Sequence, residues 1–155
     1  DKATEFAPAQ SRTAVVLMRN PVIPVSQADK YDGLVLNYQI NPFYSSVTPK
    51  KQGAFLKFNQ IDLTGITQIS VAVIAIPTAS ADAKIQIRMD GPKGQLIGEI
   101  SNFPVLVKMG KKIMNQSMAS IEKINGLHDI YFVFGDKTAG KDIGQMKMQA
   151  VQFIR

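Results

Sequence analysis

At 155 residues, with 45% apolar and 19% charged side chains, the chain can build one domain around a full core, and its composition excludes a disordered polymer. The formal net charge is +6, from 18 Lys and Arg against 12 Asp and Glu; the lysines gather in turn-like stretches without interleaved aromatics or a nucleic-acid-binding signature, so no nucleic-acid partner is expected. There is no cysteine, which removes disulfides, thiolate metal sites and a cysteine nucleophile together, and no window approaches the roughly 18 apolar residues of a membrane helix.

Residues 1–12 lack both a basic start and an apolar run, so they read as a polar linker, not a signal peptide, leaving 13–155 as one domain. Apolar residues then recur with period two, and no segment sustains a helical period for three turns. Strands are expected at 13–18, 33–40 and 53–61, with a long loop at 41–53, NPFYSSVTPKKQG, between the last two. Residues 69–77, ISVAVIAIP, are apolar on both faces and β-branched, as a central covered strand would be. In residues 84–90, KIQIRMD, Ile85, Ile87 and Met89 face one way while Gln86 and Arg88 face the other. The turn GPKG at 91–94 leads into the strand QLIGEI, completing a hairpin. Further strands are expected at 117–124, 130–134 and 147–154. Turn signals every 8 to 14 residues or so fit an all-β sandwich.

The chemistry of common active sites is thin. His128 is the single histidine, and Asp129 beside it would point to the opposite face, so a Ser-His-Asp arrangement is not supported. His128 is expected to open a strand with a backbone partner. One histidine and no cysteine also exclude the usual zinc sets. Twelve acids leave room for a carboxylate pair, but Asp29, Asp32, Asp90, Asp136 and Asp142 sit at turns or strand ends, where Asp serves turn geometry. Asp136 and Asp142 share a segment without the alternating acids of a calcium loop.

Three stretches carry a resemblance: residues 55–77, FLKFNQIDLTGITQISVAVIAIP; 85–100, IQIRMDGPKGQLIGEI; and 126–136, GLHDIYFVFGD. In them Arg88, Asp90, Pro92, Gly94, Leu96, Ile97 and Gly98, then Gly126, His128, Asp129, Tyr131, Val133 and Phe134, match the phrases of a family 6 carbohydrate-binding module, and from about Pro21 to Arg155 the chain resembles a divergent member of that family. The resemblance implies a galactose-binding-like jelly roll: a two-sheet antiparallel β-sandwich, secreted to the periplasm or outside the cell, non-catalytic, and attached to a catalytic or redox domain in a larger protein. In such modules an aromatic pair at a loop-end cleft and an asparagine near the last strand hold the sugar. This chain has no tryptophan; the aromatic phrase falls at Lys111 to Met114, and Lys147 takes the asparagine's position. Gln149 takes that of the acidic calcium ligand, with Pro24 and Ser26 near the positions of its partners, so neither the family's calcium nor any other cofactor is expected.

The aromatics that remain are Phe43 and Tyr44 in the long loop, as a stacking face or, for Tyr44, as an anchor packed on the sandwich edge. The resemblance therefore implies an accessory module that binds polysaccharide or oligosaccharide through Tyr44, Phe43, Lys147 and Lys111, with a leaning toward acidic sugars. The other reading is a module that has lost sugar binding and serves as a structural or protein-interaction domain.

Overall fold

A computed structural model describes residues 21–74, 83–101, 103, 115–135 and 146–155. Eleven strands form in these residues: β1 (Val22–Pro24), β2 (Lys30–Asp32), β3 (Leu34–Asn37), β4 (Ser46–Pro49), β5 (Phe55–Asp62), β6 (Gln68–Ile74), β7 (Lys84–Met89), β8 (Gln95–Ile100), β9 (Asn115–Ser120), β10 (Leu127–Gly135) and β11 (Lys147–Ile154). They make two sheets, one ordered β3-β4-β11-β6-β9 with β1 also paired to β11, the other ordered β2-β5-β10-β7-β8. Every pairing is antiparallel. The chain is an all-β, two-sheet antiparallel sandwich, as its alternating pattern and turn spacing require. Among the described residues no helix is long and apolar enough to cross a membrane.

The inward faces meet in one core. Leu56 and Phe58 of β5, Ile85 and Ile87 of β7, and Ile130, Phe132 and Phe134 of β10 come from one sheet; Ile69, Val71 and Val73 of β6 with Met148 and Val151 of β11 come from the other. Phe58 and Phe132 meet edge to face, ring centroids 6.0 Å apart at 86°, the arrangement that sets a positive ring edge on a negative face. β6 lies between β11 and β9 and is buried on both faces over Ile69–Val73, the polar Ser70 included.

Some elements depart from expectation. β3 stops at Asn37, and β9 spans 115–120 instead of 117–124. The stretch read as a long loop contains β4, whose four residues are all buried, two of them polar. The strand expected at 13–18 and the linker at 1–12 lie outside the described residues. The hairpin of β7 and β8 forms at GPKG, with a bulge between Ile87 and Arg88 that turns Ile97 inward and leaves Leu96 outside beside Arg88.

Candidate functional site

The loop before β4 is built from within. Asn41 accepts the Phe43 amide on its side chain (3.1 Å), capping a 3-10 turn over Pro42–Tyr44, and Ser45 Oγ accepts the Gln39 amide at 3.0 Å. Phe43 is 42% and Tyr44 66% exposed, so both rings reach solvent. Lys147 opens β11, half-buried between the buried Met146 and Met148. Val47 lies opposite Met148, which sets Thr48 level with Lys147, four residues and about 13 Å of extended chain beyond Tyr44. Tyr44 and Lys147 thus stand apart along the strand direction. Lys111 lies outside the described residues.

Pro24 pairs with Ala150, which brings β1 beside Gln149. Gln149 is 6% exposed and its side-chain oxygen makes no hydrogen bond among the described residues. Calcium takes six to eight oxygens, carboxylates among them. Pro24 and Gln149 bring no carboxylate to this position, and among the described residues no three His, Asp or Glu side chains cluster as metal ligands.

His128 is tied on both ring nitrogens. Nδ1 lies 3.0 Å from Asp90 Oδ2 and Nε2 lies 3.2 Å from the Asn125 carbonyl oxygen. Facing two acceptors, the ring meets both only as the imidazolium, which donates from each nitrogen. With both ring nitrogens engaged, the pair is a clasp between the β7–β8 turn and the start of β10. The backbone partner expected for His128 is there; the carboxylate comes from Asp90, whose φ of 59° aims it back at the strand. The Asp90 bond and the Asn125 carbonyl hold the imidazole pKa above its ordinary 6.5. The raised value makes this contribution complete below pH 6.5 and lost as pH rises through the folded-state pKa. Thermal unfolding followed from pH 5.5 to 9 should show stability falling across that interval, and His128→Gln should flatten the profile; an unchanged slope would rule the clasp out. Asp129 behaves oppositely: Lys57 Nζ at 2.6 Å and the Gln60 amide hold its carboxyl below the usual range.

Sequence reasoning missed the outer face of the five-stranded sheet. The register lays Asp32, Phe55, Val133, Gln86 and Glu99 in one row across β2, β5, β10, β7 and β8, and Lys30, Lys57, Tyr131, Arg88 and Leu96 in the next. A cleft of about 570 Å³ opens on this face, lined by Asp32, Gly53, Phe55, Gln86, Arg88, Val133 and, from the hairpin turn, Pro92 and Lys93. That size suits a small organic ligand. Gly53, at a φ of 74° that disfavours a side chain, binds its amide to the Phe134 carbonyl at 2.8 Å and leaves one end open. Phe55 packs against Tyr131, centroids 5.4 Å apart, and Lys57 Nζ lies 5.4 Å from the Tyr131 ring centre. Arg88 binds Gln86 Oε1 through Nε (3.1 Å) and Nη2 (3.0 Å) and the Gly94 carbonyl through Nη1 (2.7 Å). Among the described residues lining the cleft, Asp32 is the one carboxylate, and it faces Lys51 at 3.2 Å. An acid pair for hydrolysis is therefore not assembled by these residues. The arrangement can hold a ligand: an apolar floor beside fixed amide and guanidinium groups.

No family model and no curated protein sequence matches the chain. Solved structures do. A family 6 carbohydrate-binding module from Clostridium cellulolyticum, solved in complex with xylose, superposes with a TM-score of 0.67 at 19% identity over 86% of this chain and 96% of that one. A β-1,3-glucan-binding family 6 module from Bacillus halodurans gives 0.67 at 18% identity over 86% and 95%. A glycoside hydrolase family 43 arabinoxylan arabinofuranohydrolase from Bacillus subtilis, in complex with cellotetraose, gives 0.66 at 18% identity, covering 95% of this chain and 30% of the enzyme. The fold is that of the family 6 modules.

Proposed function

We propose that the chain is a non-catalytic accessory module that binds carbohydrate in the cleft on the outer face of the five-stranded sheet, and that it holds a catalytic or redox domain of a larger secreted protein against its glycan. The observation that carries the reading is the floor of that cleft: Phe55 and Val133 beside Gln86 and Arg88, whose polar groups are already oriented by one another. Sugars present CH faces and hydroxyl rims, and an apolar ring flanked by amide and guanidinium groups answers both. The likeness to carbohydrate-binding modules, one of them part of a glycoside hydrolase, supports it.

A glycan array with the purified chain tests the reading. Phe55→Ala should weaken binding by about tenfold, the worth of one aromatic contact of roughly 1–1.5 kcal/mol. Tyr44→Ala and Lys147→Ala should leave it within about twofold; loss on those two with Phe55→Ala neutral would move the site to the loop before β4.

A specific observation favours a second reading as well. Val35, Leu36, Tyr38, Ile40, Phe43 and Tyr44 form an exposed apolar stretch on and after the edge strand β3, with Ile40 97% exposed. Patches of this kind mark partner surfaces, as a module turned to protein interaction would carry. Silence across the array would favour it.

A further inference from the structure

The carbohydrate-binding reading leaves open which glycans the cleft takes, and the charges around it answer that question. Among the described residues three acids of this face are matched by lysines: Asp32 by Lys51 at 3.2 Å, Asp129 by Lys57 at 2.6 Å and Glu99 by Lys84 at 2.5 Å. Among the described residues two cleft-lining cations, Arg88 and Lys93, stand in no ion pair. Arg88 is half-buried, and its three hydrogen bonds go to neutral oxygens, two to the Gln86 amide and one to the Gly94 carbonyl. Those bonds orient the guanidinium without cancelling its charge, and two of its five N–H groups remain for a ligand. Fixing the fork in advance removes the entropy that a free arginine loses on binding. Lys93 sits on the hairpin turn that overhangs the same cleft, adding a second positive charge at its rim.

We propose, resting on the carbohydrate-binding reading, that this cleft selects acidic glycans, with Arg88 receiving a carboxylate or sulfate group of the sugar above the apolar floor of Phe55 and Val133. Charge-assisted bonds to a planar guanidinium are about twice as strong as neutral ones, and a neutral sugar would leave that charge covered by ligand without a counter-charge. Selection then comes from both sides: an acidic sugar gains the contact, and a neutral one desolvates a cation for nothing.

The test measures affinity for polygalacturonate, alginate, glucuronoxylan and chondroitin sulfate, each against its esterified, carboxyl-reduced or desulfated counterpart, with polyglutamate as a charged polymer that is not a sugar. The expected result is at least one acidic glycan bound ten times or more tighter than its neutral form, weakening as salt rises, with polyglutamate weak. Lys93→Gln should lower affinity for the acidic form at least threefold and narrow its preference over the neutral form. Arg88→Gln should abolish the preference; since Arg88 also ties the hairpin, its melting temperature is measured alongside, and the exposed Lys93 decides if that variant unfolds. Equal binding of acidic and neutral forms overturns charge selection and leaves carbohydrate binding intact. Binding of no sugar, charged or neutral, overturns both. Polyglutamate bound as tightly as the best glycan overturns selection of a sugar in favour of a general polyanion surface.

Discussion

Phe132→Ala will lower the unfolding free energy by about 3–5 kcal/mol. Phe132 sits mid-strand on β10, opposite Leu56 of β5 and Ile87 of β7, and its ring is fully buried against Phe58. Truncation removes the transfer energy of the ring and leaves a cavity between strands whose partners are themselves held by the ladder, so collapse is incomplete. For a chain of this size each kcal/mol moves the melting temperature by about 2–4 °C. Urea unfolding at constant slope measures the effect directly. Phe132→Leu, which keeps most of the volume, should cost far less. Neighbouring Val133 lines the cleft on the opposite face of the strand, so the ligand site of any folded Phe132→Ala protein should remain. A loss below about 1 kcal/mol would mean that the sheets do not pack as described.

Gly94→Ala will disrupt the β7–β8 hairpin and carry the cleft with it. A Cβ at Gly94 would lie 2.0 Å from the Met89 carbonyl oxygen and 3.1 Å from both the amide nitrogen and the carbonyl oxygen of Gly91. These are backbone atoms of a turn closed by the Gly94 amide bonded to the Gly91 carbonyl at 3.0 Å, so the strain has no flexible side chain to absorb it. Overpacking of this kind costs about 1–3 kcal/mol or more. The same carbonyl of Gly94 holds Arg88 Nη1, so glycan affinity should fall together with stability. Gly91→Ala is the contrast: its added Cβ would meet the Gly94 amide nitrogen at 3.6 Å, an ordinary contact. Hydrogen exchange on β7 and β8 should rise sharply in Gly94→Ala and stay near the parent in Gly91→Ala; equal protection in the two would refute the steric account.

The hairpin was legible because its information is local. Ile85 and Ile87 alternate with Gln86 and Arg88, and Gly91 to Gly94 close the turn, so face assignment and strand end both follow from adjacent residues. β4 was not legible. Ser46 and Thr48 read as loop chemistry, yet packing between β3 and β11 buries them beside Val47. β1 and β2, three residues each, are too short for any periodicity to register.

The site divides in the same way. Phe43 and Tyr44 could be picked out as loop aromatics, and the turn at Asn41 does present them. The separation of Tyr44 from Lys147 depends on the pairing of β4 with β11, which no local pattern contains. The outer-face cleft left one trace in the sequence: β5 begins Phe55-Leu56 and β10 runs Tyr131 to Phe134 without a polar break. A strand apolar on both sides means that something covers, or is bound on, its outer face.

By itself the sequence determined the class of fold, the hairpin at Gly91–Gly94, the covered strand β6 and the absence of thiol chemistry. All of these follow from composition or from contacts between residues a few positions apart. The tertiary structure alone decided that Asp32, Phe55, Arg88 and Val133, from four strands, line one cleft. It also decided that three lysines neutralise the nearby acids while Arg88 keeps its charge. Cross-strand register is set by long-range packing of one sheet on the other, and that energy is written in no single segment of the chain.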